Sequence, residues 1–358
     1  MGQTGQGTYN MNLLDDPKAI GAIDITNMSK RISNASSMLE AAMDTEIDLP
    51  IAEKPSSVIL VGMGGSAIAC DLLKDYMAGQ FDIPTTVIRE PLFPYTLNSK
   101  TLLIVNSFSG NTEESIMMFN KGLEAGCPII AVTSGGRLEQ LASTSRTPLI
   151  KMNVTGEPRS IVPYHFLLLI RLFAFLNLVD ISESDIHSTL QSVEKCIEQY
   201  SINTPTKNNL AKQIAIKLEN NLPCIYGGGI FKGMTLRWKT QINENAKSMC
   251  VNDYIPELFH NTIESVQKYE ALNPSLFIIV IEPNKNPKWL QKRYASLKTL
   301  LCDYGLQHQF IKSEFSSNLE QIICMMSLSD YTSFYLGILK NVDPASTEVI
   351  DTTKKMVS

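Results

Sequence analysis

The sequence predicts two tandem α/β domains, each an αβα sandwich on a parallel sheet, flanked by N- and C-terminal helices. Three observations carry this. Short apolar runs SVILVG (57–62), TLLIVN (101–106) and PIIAVT (128–133) punctuate the first half, each followed by a Gly- or Ser-rich turn and a helix-compatible stretch. Such runs suit strands buried on both faces, and their alternation with helices suits parallel βαβ units. The second half repeats the theme more weakly. Finally, 358 residues with 44% hydrophobic and 19% charged content suffice for two cores.

In chain order, residues 1–48 read as an N-terminal helical segment, with helix from about 16 to 46. Residues 49–200 form the first domain. The polar stretch SINTPTKNN (201–209) marks the boundary. Residues 210–340 form the second domain, with strands at LPCIYGGG (222–229), SLFIIVIE (275–282) and, more weakly, HQFIKSE (308–314). Helices are expected at 230–249, 287–304 and 317–340. Residues 341–358 complete the chain with a helix over about 345–357.

Several function classes are excluded. Net charge is −5, and no long basic run exists, so neither nucleic acid nor an anionic membrane is expected as partner. Seven scattered cysteines form no C-x-x-C pair, and four histidines (His165, His187, His260, His308) lack metal-ligand spacing. No metal site or disulfide framework is expected. The first residues show no basic region followed by an apolar run, so no secretory signal is expected. The apolar stretch 161–178 contains Pro163, His165 and Arg171 and reads as a buried helix. A cytoplasmic location is the expectation.

The most informative segment is Ser107-Phe108-Ser109-Gly110-Asn111-Thr112-Glu113-Glu114, which ends a strand and opens a helix. Gly110 permits a tight turn, Asn111 or Thr112 can cap the helix, and the two glutamates suit its first turn. A helix N-terminus ringed by the hydroxyls of Ser107, Ser109 and Thr112 can wrap a phosphate monoester without a lysine. Read plainly, the same residues make an ordinary capped turn. A second turn, Gly62-Met63-Gly64-Gly65-Ser66, also follows a strand and opens a helix. Loops at neighbouring strand ends form the crevice where open α/β sheets bind ligands. This turn is not a Walker loop, and it lacks the third glycine of a dinucleotide fingerprint.

GGSAIA (64–69), SFSGNTEES (107–115) and AVTSGGRL (131–138) resemble the sugar isomerase domain family. PRS (158–160), NENAK (243–247) and ELFHNTIE (257–264) narrow the resemblance to the archaeal-type bifunctional phosphoglucose/phosphomannose isomerases. That resemblance implies two sugar isomerase domains per chain and a homodimer with shared active sites. It implies a small-molecule sugar phosphate as substrate and no cofactor. By position it places Gly65, Ser66, Ser107, Ser109 and Thr112 around the phosphate and Arg159 near the reacting carbons. Glu244 matches the base, and His260 the ring-opening histidine supplied by the partner subunit. Lys354, in I-D-x-x-K, and Thr347 match the C-terminal site positions.

The chemistry suits these groups. A cyclic aldose phosphate must open before it can isomerise, and a histidine titrating near neutrality suits that exchange. One carboxylate can then move a proton from C2 to C1, while Arg159 offsets charge on the enediolate oxygens. Thr347 and Lys354, seven apart, share a helix face, so helix phase prefers Lys354 to the adjacent Lys355, which remains the alternative. Taken singly, each residue has a plainer reading as a surface or structural group. Rival functions are a non-catalytic sugar-phosphate sensor and an amino-sugar phosphate isomerase. A sensor of this kind carries a helix-turn-helix domain and a basic face, and neither is present. The isomerase half of a glucosamine-6-phosphate synthase follows a glutaminase with a nucleophilic Cys, whereas residue 2 is Gly. A phosphoheptose isomerase would be a single domain.

Overall fold

Apolar runs without alternation become central strands, because both faces of a parallel sheet are covered by helices. The computed structural model describes residues 13–50, 54–80, 83–94, 96–271 and 276–357. They form two compact units, one from Ala35 to His187, the other from Ser188 onward together with the segment ending at Asn34.

The first unit holds a five-stranded parallel sheet: β1 (Ser57–Val61), β2 (Thr85–Ile88), β3 (Thr101–Asn106), β4 (Ile129–Thr133) and β5 (Leu149–Lys151). The order is β2-β1-β3-β4-β5. The three expected runs are β1, β3 and β4. β2 and β5 lie at the sheet edges, are only partly buried, and include Thr85, Thr86 and Lys151, so no apolar run announces them. With the helices of both units numbered together in chain order, those of the first are α3 (Ala35–Asp44), α4 (Gly64–Tyr76), α5 (Glu113–Glu124), α6 (Gly136–Ser145) and α7 (Val162–Phe175). α7 is the expected buried apolar helix.

The second unit opens with α1 (Pro17–Ile23) and α2 (Met28–Ser33). They join it through long-range polar contacts. Asp15 Oδ1 accepts from Thr206 N at 2.7 Å and from the buried Lys212 Nζ at 3.4 Å, and Thr26 Oγ1 donates to Asp343 Oδ1 at 3.0 Å. α8 (Glu183–Tyr200) runs across the division between units at 187/188. The sheet is β6 (Leu222–Gly228), β7 (Val251–Ile255), β8 (Leu276–Glu282) and β9 (His308–Lys312), all parallel, in the order β7-β6-β8-β9. β7, sequence VNDYI, is a polar edge strand that the sequence reading lacked. The helices are α9 (Leu210–Leu218), α10 (Lys232–Ala246), α11 (Lys288–Asp303), α12 (Asn318–Leu339) and α13 (Glu348–Val357). Among the described residues only α12 is long and apolar enough to cross a membrane, and 94% of its most apolar window is buried, which marks a core helix.

Candidate active site

In the first unit the sheet order reverses between β1 and β3, the switch point where doubly wound sheets take ligands. The two small-residue loops leave those two strands. Neither following helix has a side-chain cap: α4 begins after Met63, and α5 after Thr112, which makes no capping hydrogen bond. Thr112 therefore takes the N-cap place without capping. Its hydroxyl accepts from Ser107 Oγ at 3.0 Å, while Asn111 Oδ1 accepts from Arg137 N at 3.0 Å. The amides of the first turn are left to face the loop, the arrangement that favours an anion.

Neighbouring segments fix both loops. Gly110 has φ +68°, and a Cβ on it would lie 1.7 Å from Gly135 O. The SGG turn of AVTSGGRL thus packs directly on the serine loop. Leu138 N donates to Gly110 O at 2.8 Å and Ser134 N to Phe108 O at 3.0 Å. Gly65 serves the other loop: a Cβ there would lie 2.3 Å from Pro158 O. That close approach seats PRS against the first loop, with the Arg159 backbone N 3.2 Å from the same Cβ position; Arg159, 5% exposed, and Ser66, the residue after Gly65 and 4% exposed, are both buried. Gly65, Ser66 and Arg159 are therefore brought together, as are Ser107, Ser109 and Thr112. Ser109 is exposed at the turn, where its Oγ accepts from Asn111 N at 3.3 Å.

Beneath the loops lies a polar cluster that the sequence reading did not assign. Asn106, the last residue of β3, donates from Nδ2 to Val61 O at 3.2 Å, tying the ends of β1 and β3. His165 Nε2 lies 3.1 Å from Asn106 Oδ1. Because that oxygen only accepts, the neutral ring carries its proton on Nε2. Burial alone pushes the His165 pKa down to about 4. One signal was available: a polar residue ending an apolar strand, and a histidine inside an apolar helix, each demand a buried partner.

In the second unit Glu244 is half-buried in the last turn of α10. The buried face of that helix carries Arg237, Gln241 and Asn245, one per turn. Arg237 Nη2 and Gln241 Nε2 each donate to Asp330 Oδ1 of α12 at 2.7 Å, and Asn245 Nδ2 donates to Ser333 Oγ at 3.0 Å. α10 starts beyond the C-terminal end of β6 and returns along the sheet, so Glu244 stands at the N-terminal ends of the strands. His260 is exposed in a 3-10 turn just beyond the C-terminal end of β7. The five-residue length of β7, roughly 16 Å at about 3.3 Å per residue, lies between them. Within one chain these two candidates are not brought together. Asn261 Nδ2 holds Glu257 Oε1 at 2.9 Å beside the histidine. Thr347 opens α13, its carbonyl accepting from Asp351 N at 3.0 Å, and Lys354 is exposed two turns on. Among the described residues no three His, Cys, Asp or Glu side chains group closely enough to hold a metal.

A curated protein from Caldicellulosiruptor bescii, described as a bifunctional phosphoglucose/phosphomannose isomerase, is 32% identical over 86% of this chain and 91% of its own length. The chain belongs to the bifunctional phosphoglucose/phosphomannose isomerase family. It is an isomerase, and residues 207–357 match the family model described as the bacterial phospho-glucose isomerase C-terminal SIS domain. That match covers the part of this isomerase holding Glu244, His260, Thr347 and Lys354. A more distant relative from Sulfolobus acidocaldarius, described as D-glucosamine-6-phosphate 4-epimerase, is 25% identical over 85% of the isomerase and 90% of its own length. The crystal structure of a glucose-6-phosphate isomerase from Chlamydia trachomatis shares the fold, with a TM-score of 0.68 at 13% identity, covering 95% of this isomerase and 84% of that chain. The second parallel sheet thus lies in an SIS domain, and both sheets share the parallel α/β fold of phosphosugar isomerase structures.

Proposed function

We propose that this isomerase interconverts glucose 6-phosphate and mannose 6-phosphate with fructose 6-phosphate. The observation that carries the reading is the pair of uncapped helix N-termini at the β1/β3 switch point, ringed by Ser66, Ser107, Ser109 and Thr112. It offers amides and neutral hydroxyls to a dianion without a competing side-chain cap.

With the phosphate held there, Arg159 faces the sugar end. His260 and Lys354 open the ring, one taking the anomeric proton while the other serves the ring oxygen. Glu244 then takes the C2 proton. The C2–H pair becomes the C1–C2 double bond of a cis-enediolate, the carbonyl oxygen gains charge, and Arg159 offsets it. Glu244 returns the same proton to C1 while the O2 hydroxyl proton passes to O1 and the C2–O2 bond becomes the carbonyl, giving the ketose. Both aldoses differ only at C2, so both give this enediolate. Thr347 leaves room for rotation about C2–C3. The chemistry given to these side chains needs no metal.

The distance along β7 supports a homodimer in which His260 of the partner subunit completes the site, since a chain's own His260 stands at the far end of that strand from its Glu244. A cytoplasmic location fits a metabolic enzyme of this kind.

The test is a coupled assay on fructose, glucose and mannose 6-phosphates with EDTA present. Turnover of both aldoses, unaffected by chelator, supports the reading; turnover of neither refutes it. The epimerase relative favours a second reading, an amino-sugar phosphate substrate. Turnover of glucosamine 6-phosphate in place of the neutral hexose phosphates would select it.

A further inference from the structure

The helix that carries Thr347 and Lys354 is exposed along its length. Residues 348–356 are all exposed, with Val349 at 81% and Met356 at 77%. Its place is set by the residues just before it. Pro344 is buried, and a Cβ on Gly337 of α12 would lie 3.3 Å from its Cγ. The same glycine lets α12 approach α10, since that Cβ would lie 2.5 Å from Asn245 O.

Lys247 completes the anchor. It stands one residue past α10 with φ +50°, and its Nζ donates to Glu244 O at 2.8 Å, Asp343 O at 2.8 Å and Pro344 O at 3.3 Å. An ammonium has three donors and no acceptor, so it can serve several carbonyls at once. A cation also suits the carbonyl-rich end of a helix. One acceptor is the main chain of Glu244 itself, and Pro344 lies three residues before Thr347.

We propose that Lys247 is a positioning residue of the isomerase site. It clasps the segment before α13 onto the end of α10, and so fixes Thr347 and Lys354 relative to the Glu244 carboxylate. The proposal rests on the reading above that Glu244 is the base and that the C-terminal helix serves the same site. Because the clasp is near the surface, water replaces the ammonium when it is removed; the fold survives while the geometry loosens.

The test compares Lys247→Met, Lys247→Gln and Lys247→Arg in the wild-type chain and in a Thr347→Ala/Lys354→Met background. The Met and Gln variants should lower kcat about tenfold with little change in KM, because the misplaced groups act after binding. Deuterium uptake over residues 343–357 should rise. Arg should recover most of the loss, since it can still donate to several carbonyls. In the double-variant background Lys247→Met should cost nothing further, because the groups it places are gone. Wild-type kcat in Lys247→Met and Lys247→Gln, or an equal loss in both backgrounds, overturns the proposal. Glu244→Gln is assayed alongside. If that variant keeps its turnover, the base assignment itself fails. If it is inactive while Lys247→Met is unimpaired, only the clasp fails.

Discussion

Gly65→Ala probes the contact that ties Arg159 to the first loop. The new methyl carbon would lie 2.3 Å from Pro158 O and 2.7 Å from Pro158 C. Ordinary contact begins near 3.4 Å, and the obstructing atoms are backbone, with no side chain to swing aside. Residues 158–160 must therefore retreat by about 1 Å, taking the guanidinium with them. A displacement of that size at a reacting centre costs about 10²-fold in rate, equivalent to about 2.7 kcal/mol of transition-state stabilisation. We expect kcat/KM for fructose 6-phosphate to fall by about that factor while the protein still melts cooperatively. Gly21→Ala is the control, because nothing lies within 4 Å of its Cβ position. A Gly65→Ala enzyme within about twofold of wild type would refute the claim that PRS is seated through this glycine.

Three further outcomes follow from buried groups. His165 has a folded-state pKa of about 4 against an ordinary 6.5, so the unfolded chain binds its proton first. Its contribution is complete above pH 6.5, is lost as pH falls toward 4, and is level below that. The gap from 6.5 to about 4 corresponds to about 3 kcal/mol at about 1.36 kcal/mol per pH unit. Urea unfolding at several pH values checks this, and an unchanged slope in His165→Gln would contradict it. Asp330→Ala should cost about 3–5 kcal/mol, because it leaves the buried Arg237 guanidinium without its carboxylate. A loss under about 1 kcal/mol in the same unfolding assay would show the pair to be dispensable. Ser107→Ala should raise KM several-fold with kcat nearly kept, as expected for a group that binds phosphate equally in ground and transition states; an unchanged KM would remove it from the phosphate site.

What the sequence disclosed follows from which forces act locally. β1, β3, β4, β6 and β8 were legible because burial on both faces demands unbroken apolar runs. β2, β5 and β7 pair on one side only, tolerate Thr, Lys, Asn and Asp, and carried no such run. The joining of α1 and α2 to the second unit depends on Asp15 reaching Thr206 and Thr26 reaching Asp343, partners far apart in sequence. The loop residues were readable from turn chemistry; Gly65 and Gly110 proved necessary for close backbone approach, and Gly110, with φ +68°, for turning as well. Asn106, His165, Asp330 and Lys247 were not assigned, because each acts through a partner that only folding supplies. Glu244 and His260 came from resemblance alone, with no periodicity or spacing in the chain to single them out; Lys354 came from resemblance supported only by its seven-residue spacing from Thr347.

The most direct measurement is single-turnover and binding analysis of Glu244→Gln with fructose 6-phosphate. A lone carboxylate shuttling one proton between C1 and C2 predicts that turnover falls below detection while the affinity for the sugar phosphate stays within a few-fold of wild type. Turnover at the wild-type rate, or loss of binding in step with loss of rate, would contradict the account.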